Sequence, residues 1–233
     1  MSKPFIKIGY LGLLVAGMSL YLSSIFPSSA PWMMDGFFTP IIAFEFVESQ
    51  TEVYRLFGFN EALDQLSMIK AMDAGNRLDF FYMVLYASFL FAFSFVCAKR
   101  TGKKYYYTGS VLSIGVLFAD ALENIQLLGI TAKIGQLDFG KELFLLQWFT
   151  WAKWGGITMI FLVLAPYFLK GRIYTKLMGI TGISSFILSV LACLHRSVLN
   201  ELVGLCVALM FVMMIVYCFV YKTEFESSFP SKN

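Results

Sequence analysis

The chain has 233 residues, of which 58% are apolar, 18% aromatic and only 14% charged. Soluble domains are usually about 45–50% apolar and about 25% charged, so this composition indicates a protein embedded in a lipid bilayer. The formal net charge of +3 is too small to indicate a nucleic-acid partner, and a single histidine excludes sites that need several.

The first predicted element is an apolar run at residues 8–26, which follows two lysines. A secretory signal begins in the same way, and Ser28-Ser29-Ala30 has the character of a cleavage site. Pro31 would stand directly after the cut, a position that generally blocks signal peptidase. Because the run is also long enough to cross a bilayer, we expect a retained transmembrane helix.

Five further apolar runs pass the same length criterion. They cover residues 78–98, 105–130, 144–169, 177–194 and 201–221. Basic residues crowd two short connections, at 99–104 and 170–176, and the positive-inside rule makes both connections cytoplasmic. The sequence therefore predicts one all-α domain over residues 1–233, a bundle of six transmembrane helices with both termini in the cytoplasm.

The connection between the first two spans is long and acidic, and we expect it to lie outside the membrane as a helical segment over residues 40–73. Thr39 can cap a helix that has Pro40 in its first position. Its apolar face would comprise Ile42, Phe46, Val53 and Phe57. Its polar sector would comprise Glu45, Glu48, Glu52 and Arg55. Gly58 ends this amphipathic helix, and a second short helix runs from Asn60 to Gly75.

Polar residues inside the predicted spans mark a candidate site, since each ionisable group near a bilayer centre costs about 2.5–3.5 kcal/mol to insert. They are Asp79, Tyr82 and Tyr86 in the second span, Asp120, Glu123 and Asn124 in the third, and Lys153 in the fourth. At about 1.5 Å per residue, Asp120 and Lys153 both lie about 14–15 Å from the external helix ends, which predicts an ion pair. The mouth of the site would carry Glu45, Arg77, His195 and Arg196.

Three interpretations of this cluster remain open. In the functional one, a polar cavity in the outer half of the bundle binds or transports a lipid head group, a small polar solute or a cation. In the structural one, the protein is a structural or partner-binding membrane subunit, and the pairs Asp120–Lys153 and Asp79–Arg77 only fix helix register. A membrane enzyme is a further alternative: Lys153, Arg77 and Arg196 would hold a lipid phosphate on the periplasmic side while a carboxylate acts as acid or base.

The expected partners are membrane lipids. No Walker A loop, nucleophile elbow or dinucleotide fingerprint occurs, so we expect no nucleotide. No organic cofactor is predicted. The oxygen ligands of Asp79, Asp120, Glu123 and Asn124 would suit a divalent cation such as Mg²⁺, Ca²⁺ or Mn²⁺, although Lys153 neutralises one carboxylate.

In these intramembrane motifs the chain resembles a family of uncharacterised bacterial multi-pass membrane proteins. The motifs are Arg77-x-Asp79-Phe80-x-Tyr82, then Asp120-x-x-Glu123-Asn124, then Lys153, preceded by an external Pro-x-x-x-x-Glu segment at Pro40 to Glu45. The resemblance covers residues 40–153. It implies a bacterial inner membrane and a shared polar centre, and it implies no particular reaction.

Overall fold

The computed structural model describes residues 4–58, 62–135 and 138–220. Within these ranges the chain forms eight α-helices, a short 3₁₀-helix at Lys104–Tyr106 and no strand. The helices are α1 (Ile6–Ile25), α2 (Pro40–Glu45), α3 (Gln50–Phe57), α4 (Ala62–Thr101), α5 (Tyr107–Lys133), α6 (Gly140–Phe168), α7 (Ile173–Leu194) and α8 (Val198–Val220).

Six of these helices, α1 and α4 to α8, are long and apolar enough to cross a membrane, which confirms the predicted all-α bundle of six spans. The helix α4 has 40 residues, a length of about 60 Å at 1.5 Å per residue. A bilayer's hydrocarbon core is only about 30 Å thick. One end of α4 therefore extends beyond the membrane.

The six long helices form a closed bundle. Consecutive helices from α4 to α8 pack side by side, and α1 packs against both α4 and α8. Large apolar side chains fill the centre, among them Phe89, Phe161 and Met210, each fully buried. We call the face where α1 ends the lid face, because the segment that we call the lid, residues 26–58, folds over it. The opposite face, which carries the α4–α5 and α6–α7 connections, is the basic face.

The lid packs on the bundle through a second apolar core. Phe44 and Phe57 are fully buried, with ring centroids 4.9 Å apart, and they belong to one cluster with Met72 of α4, Leu127 of α5 and Leu146 of α6. Burial of such side chains contributes roughly 1.5–3 kcal/mol each. The lid is therefore a packed part of the fold.

The lid does not contain the single amphipathic helix that the sequence predicts over residues 40–58. Ser49 begins a new helix, since its hydroxyl accepts a hydrogen bond from the Glu52 amide at 3.2 Å. The Glu52 carboxylate in turn accepts one from the Glu48 amide at 2.7 Å, an arrangement close to a capping box. The break between α2 and α3 separates Glu45 from the polar sector, so Glu45 is buried whereas Glu48 is exposed.

The second predicted helix is present from Ala62 onward, but its predicted end at Gly75 is wrong, because α4 runs without interruption through Gly75 to Thr101. Asn60, the predicted cap, lies outside the described residues. Gly75 does not end the helix but allows Phe26 to pack closely against it, because a Cβ at this position would overlap the ring of Phe26. Gly75 therefore lets the end of α1 lie directly against α4.

A glycine in α1 also allows close approach, and this can be tested. A Cβ at Gly12 would lie 2.6 Å from Ile215 Cγ1 and 2.9 Å from the Phe89 ring, whereas a Cβ at Gly17 would have nothing within 4 Å in the described structure. We expect Gly12→Leu to separate α1 from α8 and lower the melting temperature in detergent. Gly17→Leu, the control on the same helix, should leave it unchanged or raise it. Equal melting temperatures for Gly12→Leu and Gly17→Leu would contradict the close packing of α1 against α8 at Gly12.

Candidate functional site

The centre of the site is Lys153, a buried lysine on α6. Its Nζ lies 3.0 Å from Glu45 Oε1 of α2 and 3.7 Å from Asp120 Oδ1 of α5, and it also contacts the Glu123 carboxylate of α5. The predicted Asp120–Lys153 ion pair is thus present. Glu45 and Glu123 are nevertheless the closer partners, so one ammonium group joins the lid to two membrane helices.

Glu45 is held firmly in this position. Trp154 Nε1 donates a hydrogen bond to Glu45 Oε2 at 2.9 Å, and the Thr150 hydroxyl donates one to the Glu45 main-chain carbonyl at 3.2 Å. Both carboxylate oxygens of Glu45 therefore have a partner. The sequence places this residue at the mouth of the site, whereas the structure places it deeper, at the lysine.

The polar face of α4 lies opposite Lys153. Tyr86 donates its hydroxyl proton to Asp120 Oδ2 at 2.5 Å, and Asn124 Nδ2 donates to Asp79 Oδ2 at 2.7 Å. These two bonds join α4 to α5. Asp79 has no cation within ion-pair distance in the described part of the chain.

The cluster lies nearer the middle of the helices than predicted. Asp120 and Lys153 occupy the centres of α5 and α6, because α5 continues to Lys133 and α6 begins at Gly140. The sequence predicts helix ends at residues 130 and 144. The helices in fact continue three or four residues further, so Asp120 and Lys153 lie deeper than predicted. The equal level of the two residues is as predicted.

Negative groups outnumber positive ones in the cluster. Glu45, Asp120 and Glu123 share Lys153, and Asp79 has no cation within ion-pair distance among the described residues. Two of their buried oxygens, Asp120 Oδ1 and Glu123 Oε1, have no hydrogen-bond partner among the described residues. Because a buried carboxylate without a partner is costly, this arrangement needs further positive charge, hydrogen-bond donors or a proton bound by one of the carboxyl groups.

A cavity of about 750 Å³ extends from the cluster to the underside of the lid. Six of the seven residues that the sequence assigns to ligand binding line it, namely Asp79, Tyr82, Tyr86, Asp120, Asn124 and Lys153. The seventh, Glu123, is fully buried behind Lys153. Asn76 and Trp154, which carry polar groups, are among the other residues of the wall. Volumes of this order are typical of ligand-binding pockets.

The other residues expected at the mouth do not line this cavity as the described residues form it. Arg77 and His195 are exposed. The predicted Asp79–Arg77 pair is not formed, since residues two apart on a helix do not face each other. Arg196 instead binds the lid. The three cations that would hold a phosphate in the enzyme interpretation are therefore not brought together.

Two side chains outside the cavity fasten the lid. Arg196 makes two hydrogen bonds to the Glu52 carboxylate, at 2.9 and 2.6 Å, and a third to the Phe46 carbonyl at 2.9 Å. Glu201 of α8 accepts hydrogen bonds from the amides of Phe38 and Thr39 and from the Thr39 hydroxyl, at 3.0, 2.8 and 2.8 Å. The acidic start of the last span was the only sequence signal for the second contact.

The Arg196–Glu52 contact makes lid stability pH-dependent. Burial raises the pKa of Glu52, but hydrogen bonds from Arg196 and the Glu48 amide outweigh this effect and hold the pKa below its ordinary value of 4.5. The stabilisation is therefore complete above about pH 4.5 and is lost as pH falls through the lowered pKa. We expect wild type to melt at a higher temperature than Glu52→Gln at pH 7, and this difference to shrink below pH 4.5.

The control for this experiment is Glu48→Gln. Glu48 is exposed and its carboxylate lies 3.7 Å from Arg196, so this variant should differ little from wild type at any pH. A Glu52→Gln difference that stays constant between pH 7 and pH 3.5 would show that the Arg196–Glu52 contact does not stabilise the lid.

Comparisons with known proteins give no indication of function, so function is inferred from the chemistry of the cavity. No protein-family model, curated protein or solved structure matches the chain. The family resemblance of the motifs therefore stays a prediction. Within the described residues, no group of three or more His, Cys, Asp or Glu side chains is arranged to hold a metal ion.

Proposed function

We propose that this multi-pass membrane protein binds a positively charged small molecule in the cavity beneath its lid, in a binding or transport role. The observation that carries the proposal is that the carboxylates of Asp79 and Asp120 face the cavity with few partners of their own. Both line a ligand-sized cavity. Asp79 has only an amide partner among the described residues, and Asp120 Oδ1 has no hydrogen bond, its nearest cation being Lys153 at 3.7 Å. A cationic ligand would satisfy both.

The charge balance supports a cation over an anion. The ammonium of Lys153 already makes ion pairs with Glu45, Asp120 and Glu123, whereas Asp79 makes none among the described residues. A buried group of four carboxylates and one lysine attracts positive charge, and the low dielectric constant strengthens that attraction. The same field repels a phosphate, so a head group recognised through its phosphate is the weaker candidate.

We further propose that the protein lies in a bacterial inner membrane with the lid face toward the periplasm and both termini in the cytoplasm. The distribution of basic residues supports this orientation. Lys99, Arg100, Lys103 and Lys104 lie at one connection of the basic face, and Lys170, Arg172 and Lys176 lie at the other. Cytoplasmic connections carry such an excess of lysine and arginine.

Ligand-induced stabilisation tests the proposal. The purified protein in phosphatidylcholine nanodiscs is heated with hexylammonium chloride or with hexanol, its neutral counterpart of equal chain length. We expect hexylammonium to raise the melting temperature and hexanol to have little effect. At a concentration one hundred times Kd, a ligand stabilises the folded state by about 2.7 kcal/mol.

The matched variants are Asp79→Asn and Asp73→Asn, two identical substitutions on α4. Asp73 accepts a hydrogen bond from Thr131 and does not line the cavity, so Asp73→Asn should keep the response to hexylammonium. Asp79→Asn should abolish it. Equal responses in wild type and Asp79→Asn, or equal stabilisation by hexanol, would overturn the proposal. An absence of any response would favour the structural interpretation.

A further inference from the structure

The cavity is larger and more apolar than an ammonium group requires. Beyond its polar end, its walls consist mainly of apolar side chains of α1 and α8, including Val15, Leu22, Val207, Phe211 and Ile215, although Ser19 and Ser23 of α1 also line it. These side chains offer no partner to a polar solute. They would contact a hydrocarbon group attached to the charged one.

The cavity opens between α1 and α8. Toward the basic face the two helices are in close contact, because a Cβ at Gly12 would lie 2.6 Å from Ile215 Cγ1. Toward the lid face the cavity separates them. Leu20 of α1 is 74% exposed and Val212 of α8 is 55% exposed, yet both line the cavity. Exposed residues of two spanning helices face lipid, so the opening faces the bilayer.

The polar end suits a protonated amine. Asp79 and Asp120 supply negative charge, and three aromatic rings stand beside them. The Tyr82 and Tyr86 centroids are 5.3 Å apart, and the Tyr86 and Phe211 centroids are 6.2 Å apart. Aromatic faces near carboxylates are a common environment for organic ammonium groups.

A second polar group points to an oxygen beside the amine. Asn76 lines the cavity one helical turn from Asp79, about 5 Å along α4. Its side chain is almost completely buried, at 1% exposure, and its Nδ2 has no hydrogen-bond partner in the described structure. A buried amide donor of this kind needs an acceptor, and a ligand hydroxyl would supply one.

We infer that the ligand is an amphipathic amino alcohol: an ammonium group at Asp79 and Asp120, a hydroxyl at Asn76, and an apolar chain along α1 and α8 that enters from the bilayer. This inference rests on the proposed function and narrows it to one class of ligand. An amine and a hydroxyl on neighbouring carbons, or one carbon further apart, would suit two residues one helical turn apart.

The experiment measures Kd by thermal stabilisation of the protein in phosphatidylcholine nanodiscs. The probes are 1-amino-2-dodecanol, dodecylamine, which lacks the hydroxyl, and 1,2-dodecanediol, which lacks the charge. We expect the amino alcohol to bind about fivefold more tightly than dodecylamine, as one additional net hydrogen bond provides. The diol should bind at least about tenfold more weakly than the amino alcohol, as expected when a charge-assisted contact is lost.

Two variants on different helices separately test recognition of the ligand hydroxyl and entry through the opening between α1 and α8. Asn76→Leu should remove the preference for the amino alcohol and retain binding of dodecylamine. Ala208→Trp fills the opening from α8 and should weaken both dodecyl amines while hexylammonium still binds. Leu209→Trp is the control, since Leu209 is the exposed neighbour of Ala208 and does not line the cavity.

Failure of this inference is distinguishable from failure of the proposed function. Equal binding of the diol and the amino alcohol would overturn the inference. It would also be overturned if hexylammonium bound as tightly as the dodecyl amines and Ala208→Trp weakened none of them. In that second case the charged site would stand and only the amphipathic class would be wrong. If no amine binds in an Asp79-dependent way, both proposals fail.

Discussion

Lys153→Met should destabilise the protein by about 3–5 kcal/mol, the usual cost of leaving a buried charge without its partner. In the described structure, Lys153 supplies the only cationic group within 4 Å of Glu45, Asp120 and Glu123. Methionine has similar length but no charge, so the substitution leaves three carboxylates facing one another. The melting temperature in detergent, and the fraction still folded after solubilisation, measure the effect.

Two further variants show whether the charge is the cause. Lys141→Met makes the same change at an exposed position of the same helix and should leave the melting temperature close to that of wild type. Glu123→Gln combined with Lys153→Met should recover part of the loss, because Glu123 is fully buried behind the lysine. If Lys153→Met alone were as stable as wild type, Lys153 would not be needed to balance these carboxylates.

The sequence was a good guide to the number and positions of the spanning helices because length and apolar character alone decide whether a helix can cross a bilayer. The same reasoning brought Asp120 and Lys153 together. Two residues at equal depth on consecutive antiparallel helices have few alternatives to pairing inside a membrane. Asp120 and Glu123 are three residues apart and so share the face of α5 that meets α6.

Glu45 shows where such reasoning fails. A helical wheel for residues 40–58 places Glu45 beside Glu48 and Glu52 only if the helix is continuous, and Ser49 interrupts it. The signal was present as Ser49-x-x-Glu52, a sequence that starts helices. The local sequence pattern could not predict that α2 points Glu45 into the bundle. That orientation depends on contacts between the lid and residues 150 or more positions away, such as Glu201 and Arg196.

Asn76 was missed for a different reason. An asparagine near the predicted beginning of a span is ordinary at a membrane surface and attracts no attention by itself. Its significance comes from burial at 1% exposure and from its place on the cavity wall. Both depend on α4 extending past the membrane and on the Phe26 region of the lid closing over it, which are properties of the assembled fold.

Glu201→Ala should have the second large effect, because Glu201 anchors the beginning of α2. Its carboxylate accepts three hydrogen bonds from Phe38 and Thr39 while only 3% exposed. Hydrogen bonds to a charged group contribute about 1.5–3 kcal/mol each and are not additive, so we expect a loss of about 2–3 kcal/mol. Hydrogen exchange followed by mass spectrometry should show faster exchange in α2.

The control is Glu142→Ala, which removes a partly exposed ion pair with Lys133 at 2.8 Å and should cost no more than about 1 kcal/mol. Because Glu45 is the last residue of α2, release of this helix also withdraws one carboxylate from Lys153. Exchange in α3 should change less, since Arg196 holds α3 independently. Unchanged exchange in α2 would mean that the apolar core of the lid, and not Glu201, fixes Glu45 at the site.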